Sequence, residues 1–125
     1  MLIEIEHGQI CNLRLIGHFR SGEDPAYVRD KSDEIRSHDC KNMLADLHEL
    51  QSLGSMGMGF IAGVYVYITK RAGGGRFVLA GANPRVRAVL DLTLLSTIIP
   101  MAEDIPSGLA VLRGEGLAGR SAEHG

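Results

Sequence analysis

Three stretches of the chain hold residue types that could do chemistry. The first is Leu53-Gly54-Ser55-Met56-Gly57-Met58-Gly59, a serine among glycines between a short apolar segment and a long uncharged one. A helix starting here would turn free backbone N–H groups and its positive dipole end toward an anion, a phosphate or a partner's carboxylate. The second is His48-Glu49, a neighbouring imidazole and carboxyl of the kind used in acid/base catalysis. The third is His38-Asp39-Cys40, three residues whose side chains are all metal-ligand types.

Each of these has competing readings. Gly57-x-Gly59-x-x-Ala62 has the spacing of a dinucleotide fingerprint, which requires a strand running straight into the glycines and an acidic residue closing the next strand. Here nine residues separate Leu47 from Gly57, and the next strand ends in Ala80-Gly81. Both requirements fail, and the chain has no glycine-rich loop ending in Lys-Ser or Lys-Thr. His38-Asp39-Cys40 lacks a second paired ligand cluster, so it reads as a solvated turn, and no metal or cofactor is expected. His48 and Glu49 adjoin on a loop with no activated nucleophile nearby, so no catalytic residue is assigned and the chain reads as a non-enzyme. Ser55 keeps three readings: a helix N-cap, a phosphoacceptor whose added charge would sit on a helix N-terminus, or a contact residue beside Met56 and Met58, which if exposed form a soft, adaptable patch.

The elements that must position these residues follow from periodicity. Leu2-Ile3-Glu4-Ile5-Glu6 alternates apolar and charged residues, and Ile10 to Ile16 alternates again with Cys11, Leu13 and Leu15 on one face. The two predict a hairpin closed by Gly17. Asp24-Pro25 and Asn83-Pro84 each combine a capping side chain with a proline at the first helical position. The first helix is predicted to run through Ile35, with Tyr27, Val28 and Ile35 as its apolar anchors. The second has Val86, Val89, Leu90 and Thr93 inward. Asn42 to Leu47 predicts a buried strand and Arg76 to Ala80 another. Between them, Ile61, Val64, Tyr65 and Ile68 mark the core stripe of a helix from about Ser55 to Arg71. Gly59 and Gly63 in that helix imply a close neighbour, and Ala72-Gly73-Gly74-Gly75 ends it. Thr97 to Met101 predicts a last short strand and Ile105 to Leu112 a closing helix. The result is a mixed sheet, an N-terminal hairpin followed by β-α repeats, covered by about four helices in a single α/β domain over residues 1–113, with a flexible tail at 114–125.

Composition narrows the function. Of 125 residues, 45% are hydrophobic and 22% charged, enough for one core without staples. The net charge of −2 and the 5% aromatic content provide neither a basic field nor a stacking surface, so no nucleic-acid partner is expected. Leu50 to Thr69 carries no charged residue but is broken by Gln51, two serines and four glycines, and reads as a core helix rather than a membrane insertion. Cys11 and Cys40 do not make a disulfide framework; the expectation is a reduced pair in a cytoplasmic protein.

In this order and spacing the chain resembles the STAS domain, the fold of bacterial anti-sigma factor antagonists and of the cytoplasmic tails of sulfate transporters. The carriers are Leu15-Ile16-Gly17, Met43-Leu44-Ala45-Asp46-Leu47 and Gly54-Ser55-Met56-Gly57-Met58-Gly59. Further carriers are Gly74-Gly75-Arg76-Phe77-Val78-Leu79-Ala80-Gly81, Asn83 to Leu90 and Leu94-Leu95. Together they span about Ile3 to Leu112. Family members that act as switches carry Asp-Ser-Ser-Gly-Leu at the junction, and an anti-sigma factor kinase phosphorylates the second serine. Laid onto this chain, the aspartate falls on Gly54, the first serine on Ser55, the acceptor on Met56 and the glycine on Gly57. The acidic residue of the Gly-Glu-Leu-Asp after the second strand is lost in Gly17-His18-Phe19-Arg20.

The resemblance implies a non-enzymatic regulatory domain. It would bind an anti-sigma factor or serine-kinase-like partner through Gly54, Ser55, Met56, Gly57, Met58 and Gly59, without the usual phospho-switch. Ser55 is the remaining hydroxyl that could serve as a displaced phosphoacceptor. A homodimer is compatible with this reading. The alternative is a soluble STAS subunit of a stressosome-like or a lipid or anion transport complex.

Overall fold

The alternation of Leu2 to Glu6 becomes β1 (Leu2–Glu6), which pairs antiparallel with β2 (Ile10–Phe19), Ile3 opposite Leu15 and Ile5 opposite Leu13. The computed structural model of the chain describes residues 1–70 and 74–114. The glycine stretch around 71–73 and the tail from 115 onward lie outside the described residues, and with them the expectations placed there.

The remaining elements are α1 (Pro25–Ser37), β3 (Asn42–Asp46), β4 (Leu50–Leu53), α2 (Ser55–Lys70), β5 (Arg76–Ala80), α3 (Pro84–Leu92), α4 (Leu95–Ile98), β6 (Met101–Ala102) and α5 (Ile105–Leu112). The sheet runs β1-β2-β3-β5-β6, parallel apart from the hairpin, and β4 pairs in parallel with the far end of β2. Side chains of alternating strand positions feed two faces. Met43, Ala45, Phe77 and Leu79 join the main core with residues of α1, α2 and α3. Leu44, Val78 and Ala80 meet Val111 and Leu112 of α5 on the other face. No described helix is long and apolar enough to cross a membrane.

Both proline-marked helix starts form as expected. Asp24 accepts a hydrogen bond from Ala26 N, and Asn83 from Val86 N. Ile35 is fully buried, with Tyr27 and Val28 packed partly against the core. Five expectations are corrected. Gly17 does not close the hairpin: β2 continues to Phe19, and Gly17, at φ +95°, sits where a register shift hands β2 from β3 to β4. Strand β4 itself was not foreseen. Leu50-Gln51-Ser52-Leu53 is too short to show a clear period, and its pairing with Gly17 to Phe19 is remote in sequence. Thr97 and Ile98 belong to α4, not to a strand. Leu94 takes a left-handed φ of 63° and starts a new helical turn despite the β-branched run, leaving only Met101 and Ala102 in β6. Gly59 and Gly63 have no close neighbour, since a Cβ at either would meet nothing within 4 Å. Finally, Cys11 and Cys40 are joined as a disulfide, because β2 and β3 run side by side and bring the start of β2 against the residue two before β3.

Candidate functional site

The junction between β4 and α2 is built on the end of β2. Gly54 N donates to Phe19 O at 2.7 Å, continuing the β2–β4 pairing one residue beyond the strand. Gly54 O then accepts the first helical bond, from Met58 N at 2.9 Å. Gly54 therefore occupies the capping position and Ser55 is the first helical residue, which corrects the reading of Ser55 as N-cap. A side chain at Gly54 would crowd the backbone of Arg20, with a Cβ 3.2 Å from Arg20 Cα. Glycine thus allows the helix start to lie against β2.

Gly57 brings α2 down onto the core. It is buried against Leu53 and Phe19, and the Phe19 ring in turn meets Phe60 of α2 with centroids 5.5 Å apart. The junction residues consequently divide. Ser55 and Gly59 are exposed, Gly54 is half-buried, and Met56 and Met58 are half-buried and lean on the main core. The first turn of α2 contains no acidic residue, so nothing within it offsets the positive end of the helix. His18 and Ser52 hydrogen-bond at 2.7 Å on the adjoining β2–β4 edge, and Arg20 is exposed beside it. The first turn of α2 therefore offers one hydroxyl, two thioethers and helix N–H donors, and no carboxylate.

The other two stretches resolve differently. His48 and Glu49 do not act on one another. His48 turns back to Asp46, taking both a backbone and a ring hydrogen bond to Asp46 Oδ1. Glu49 pairs with Arg14, which also meets Glu4 Oε1 at 3.0 Å and Asp46 Oδ2 at 3.9 Å. The hydrogen bond and charge of Glu49, helped by Glu4 and Asp46, raise the Arg14 guanidinium above its ordinary value. This ion-pair group ties β1, β2 and the end of β3 together on the solvent side, and it places no nucleophile beside a base. His38-Asp39-Cys40 is not an isolated turn, because His7 and Cys11 come up against it from the hairpin. Sequence reasoning missed that cluster; the one available signal was Cys11 on the inward face of β2.

An element order of hairpin, helix, then parallel strands alternating with helices, with a glycine-framed helix start at the edge, agrees with the family comparison: the STAS domain model matches residues 4–108. The chain belongs to the STAS domain family. A curated relative, the anti-sigma F factor antagonist of Paenibacillus polymyxa, is 28% identical over 111 residues, spanning 88% of this chain and 93% of that one. Among solved structures, a putative anti-sigma factor antagonist from Thermotoga maritima matches with TM-score 0.77 at 20% identity, over 89% of this chain and 94% of that one. An anti-sigma factor antagonist from Mycobacterium paratuberculosis matches with TM-score 0.76 at 21% identity, over 90% and 93%. At these identities the structural likenesses establish the fold. The mixed sheet expected from the sequence is thus the STAS sheet, and this STAS domain is similar to proteins named as anti-sigma factor antagonists.

Proposed function

We propose that this STAS domain is a non-enzymatic, cytoplasmic regulator that binds an anti-sigma factor or related serine-kinase-like protein through the Gly54–Gly59 edge, without a serine phospho-switch. The observation that carries the reading is the makeup of the α2 start. Ser55 and Gly59 face solvent beside half-buried Met56 and Met58, on a helix terminus with no carboxylate in its first turn. Such a surface suits a partner that supplies its own acidic and apolar groups. Methionine at the position where switching relatives carry the acceptor serine removes the hydroxyl that phosphate requires. Binding is then controlled by the amount of each protein or by a competing partner.

A second reading, a STAS subunit of a stressosome-like or transport complex, is favoured by one feature. Leu92 at the end of α3, Leu94 between α3 and α4, and Ile98 at the end of α4 are all more than half exposed. An apolar group of this kind fits a permanent neighbour better than open solvent. Affinity capture with the untagged chain as competitor separates the two. Recovery of a kinase-like protein, lost with Met56→Asp but kept with Met56→Ala, supports the first reading. Recovery of scaffold or transporter subunits with no kinase-like protein rejects it.

A further inference from the structure

At the opposite end of β2 from the junction, three side chains gather around the Cys11–Cys40 pair, His7 directly and Glu34 and His38 through His7. Both cysteines are buried, at 1% and 2% exposure, and their Cα atoms are 5.9 Å apart. His7, in the β1–β2 turn, places Nδ1 3.6 Å from Cys40 Sγ and 3.9 Å from Cys11 Sγ. The ligand atoms of His7, Cys11 and Cys40 all lie within 4.8 Å of one another. The other ring nitrogen, Nε2, is 3.5 Å from Glu34 Oε2. His38 stacks on the same ring, with centroids 3.5 Å apart and planes 12° from parallel.

We propose that the reduced form of this chain binds a zinc-class divalent cation through Cys11 Sγ, Cys40 Sγ and His7 Nδ1, with Glu34 as the residue that positions His7. Zinc bonds of about 2.3 Å to sulfur and about 2.0–2.1 Å to nitrogen put a thiolate and an imidazole on one tetrahedral ion about 3.6 Å apart. Both His7–cysteine distances are close to that edge. Glu34 stands on the far side of the ring from the sulfurs. A ligating histidine characteristically gives its other N–H to a carboxylate, which fixes the tautomer and makes the ligand nitrogen more basic. Glu34 Oε2, 3.5 Å from Nε2, favours hydrogen on that nitrogen when the site is loaded, leaving the lone pair on Nδ1, the nitrogen that faces the sulfurs. Stacking on His38 holds the ring plane.

Three protein ligands leave the fourth position to water. The His7 side chain is 28% exposed, so the ion can enter from its side while the sulfurs remain buried. The disulfide and the metal exclude one another, because zinc is held by thiolates and the S–S bond leaves neither sulfur as one. A small-molecule dithiol reduces the S–S bond by two electrons and becomes a disulfide itself, while each cysteine sulfur gains a proton. Binding of the cation then releases both protons. The site was invisible in His38-Asp39-Cys40 alone because two of its ligands come from the hairpin.

The test is anaerobic titration of the untagged, reduced and desalted full chain with cobalt(II) as the spectroscopic probe, followed by zinc(II) displacement, beside the oxidised chain. The expected result is one equivalent bound by the reduced chain, with thiolate-to-cobalt charge-transfer and tetrahedral d–d bands that zinc abolishes, and neither band in the oxidised chain. His7→Ala, a change at a partly exposed turn residue, is expected to weaken binding at least about tenfold, and Glu34→Gln about 10-fold or more. Equal cobalt binding by oxidised and reduced chains overturns the proposal. So does a spectrum without thiolate bands, or unchanged affinity in His7→Ala.

Discussion

Gly57 lies so close to Phe19 that a Cβ on it would stand 2.9 Å from the ring's Cγ, and 2.5 Å from Leu53 Cδ1. The start of α2, the end of β2 and the end of β4 meet at this one position. Gly57→Ala must push the helix off β2 or drive both neighbours out of their rotamers, at about 1–3 kcal/mol. Urea unfolding should show that loss. Gly63, in the same helix with nothing within 4 Å of its would-be Cβ, should respond oppositely. Gly63→Ala is expected to stabilise by about 0.4–1 kcal/mol through the unfolded chain's lower entropy. Equal effects of the two substitutions would refute the close approach at Gly57.

Asn83 joins two elements. Its Oδ1 caps α3 at Val86 N, 2.8 Å away, while its Nδ2 donates to Leu50 O of β4 at 2.9 Å. Asn83→Ala should cost about 1–2 kcal/mol from the lost cap and the orphaned carbonyl. Asn83→Asp keeps a capping oxygen and loses only the donor, so its unfolding midpoint should fall between those of wild type and Asn83→Ala. An Asn83→Asp midpoint at or below that of Asn83→Ala would show that the bond to Leu50 carries more than the cap.

Asp104 at the start of α5 accepts from Ser107 N at 2.8 Å, and that backbone hydrogen bond, reinforced by the Ser107 side chain, holds its carboxyl below the usual aspartate value. A folded pKa below the unfolded one means the contribution is present above the unfolded pKa and is lost as pH falls through the folded one. Wild-type unfolding midpoints should therefore drop between about pH 5 and about pH 3 more steeply than those of Asp104→Asn, which caps without titrating. Parallel pH profiles for the two proteins would remove Asp104 from the acid response.

Phosphoryl transfer offers a direct check on the junction. With a kinase-like anti-sigma factor and ATP, the wild-type chain is expected to stay unlabelled, while Met56→Ser, which restores a hydroxyl at the aligned position, is expected to take label. Label on the wild-type chain that disappears in Ser55→Ala would instead make Ser55 the acceptor and restore a phospho-switch at this edge.

Much of this STAS domain was legible in the sequence because its signals are local. Asp24-Pro25 and Asn83-Pro84 started helices at the places where the structure starts them, since a cap and a fixed φ act within one turn. The alternating strands from Leu2 and Ile10, the second longer than read, the buried apolar strands from Asn42 and Arg76, and the closing helix Ile105–Leu112 all formed. What needed the tertiary structure was whatever depends on residues far apart in the chain. Strand β4 exists because Gly17 to Phe19 offers it an edge, and its four residues alone show no decisive period. Ser55 lost the cap to Gly54 because Phe19 O captures Gly54 N and sets where the helix begins. His7, Cys11, Glu34 and Cys40 come from a turn, a strand, a helix and a loop, and only the side-by-side packing of β1, β2 and β3 under α1 brings them to one point. Sequence settled most of the elements that form, β4 and α4 excepted, because hydrophobic period and capping are nearest-neighbour physics. The fold decided which side chains meet, because strand pairing and burial close over distances that no local pattern records.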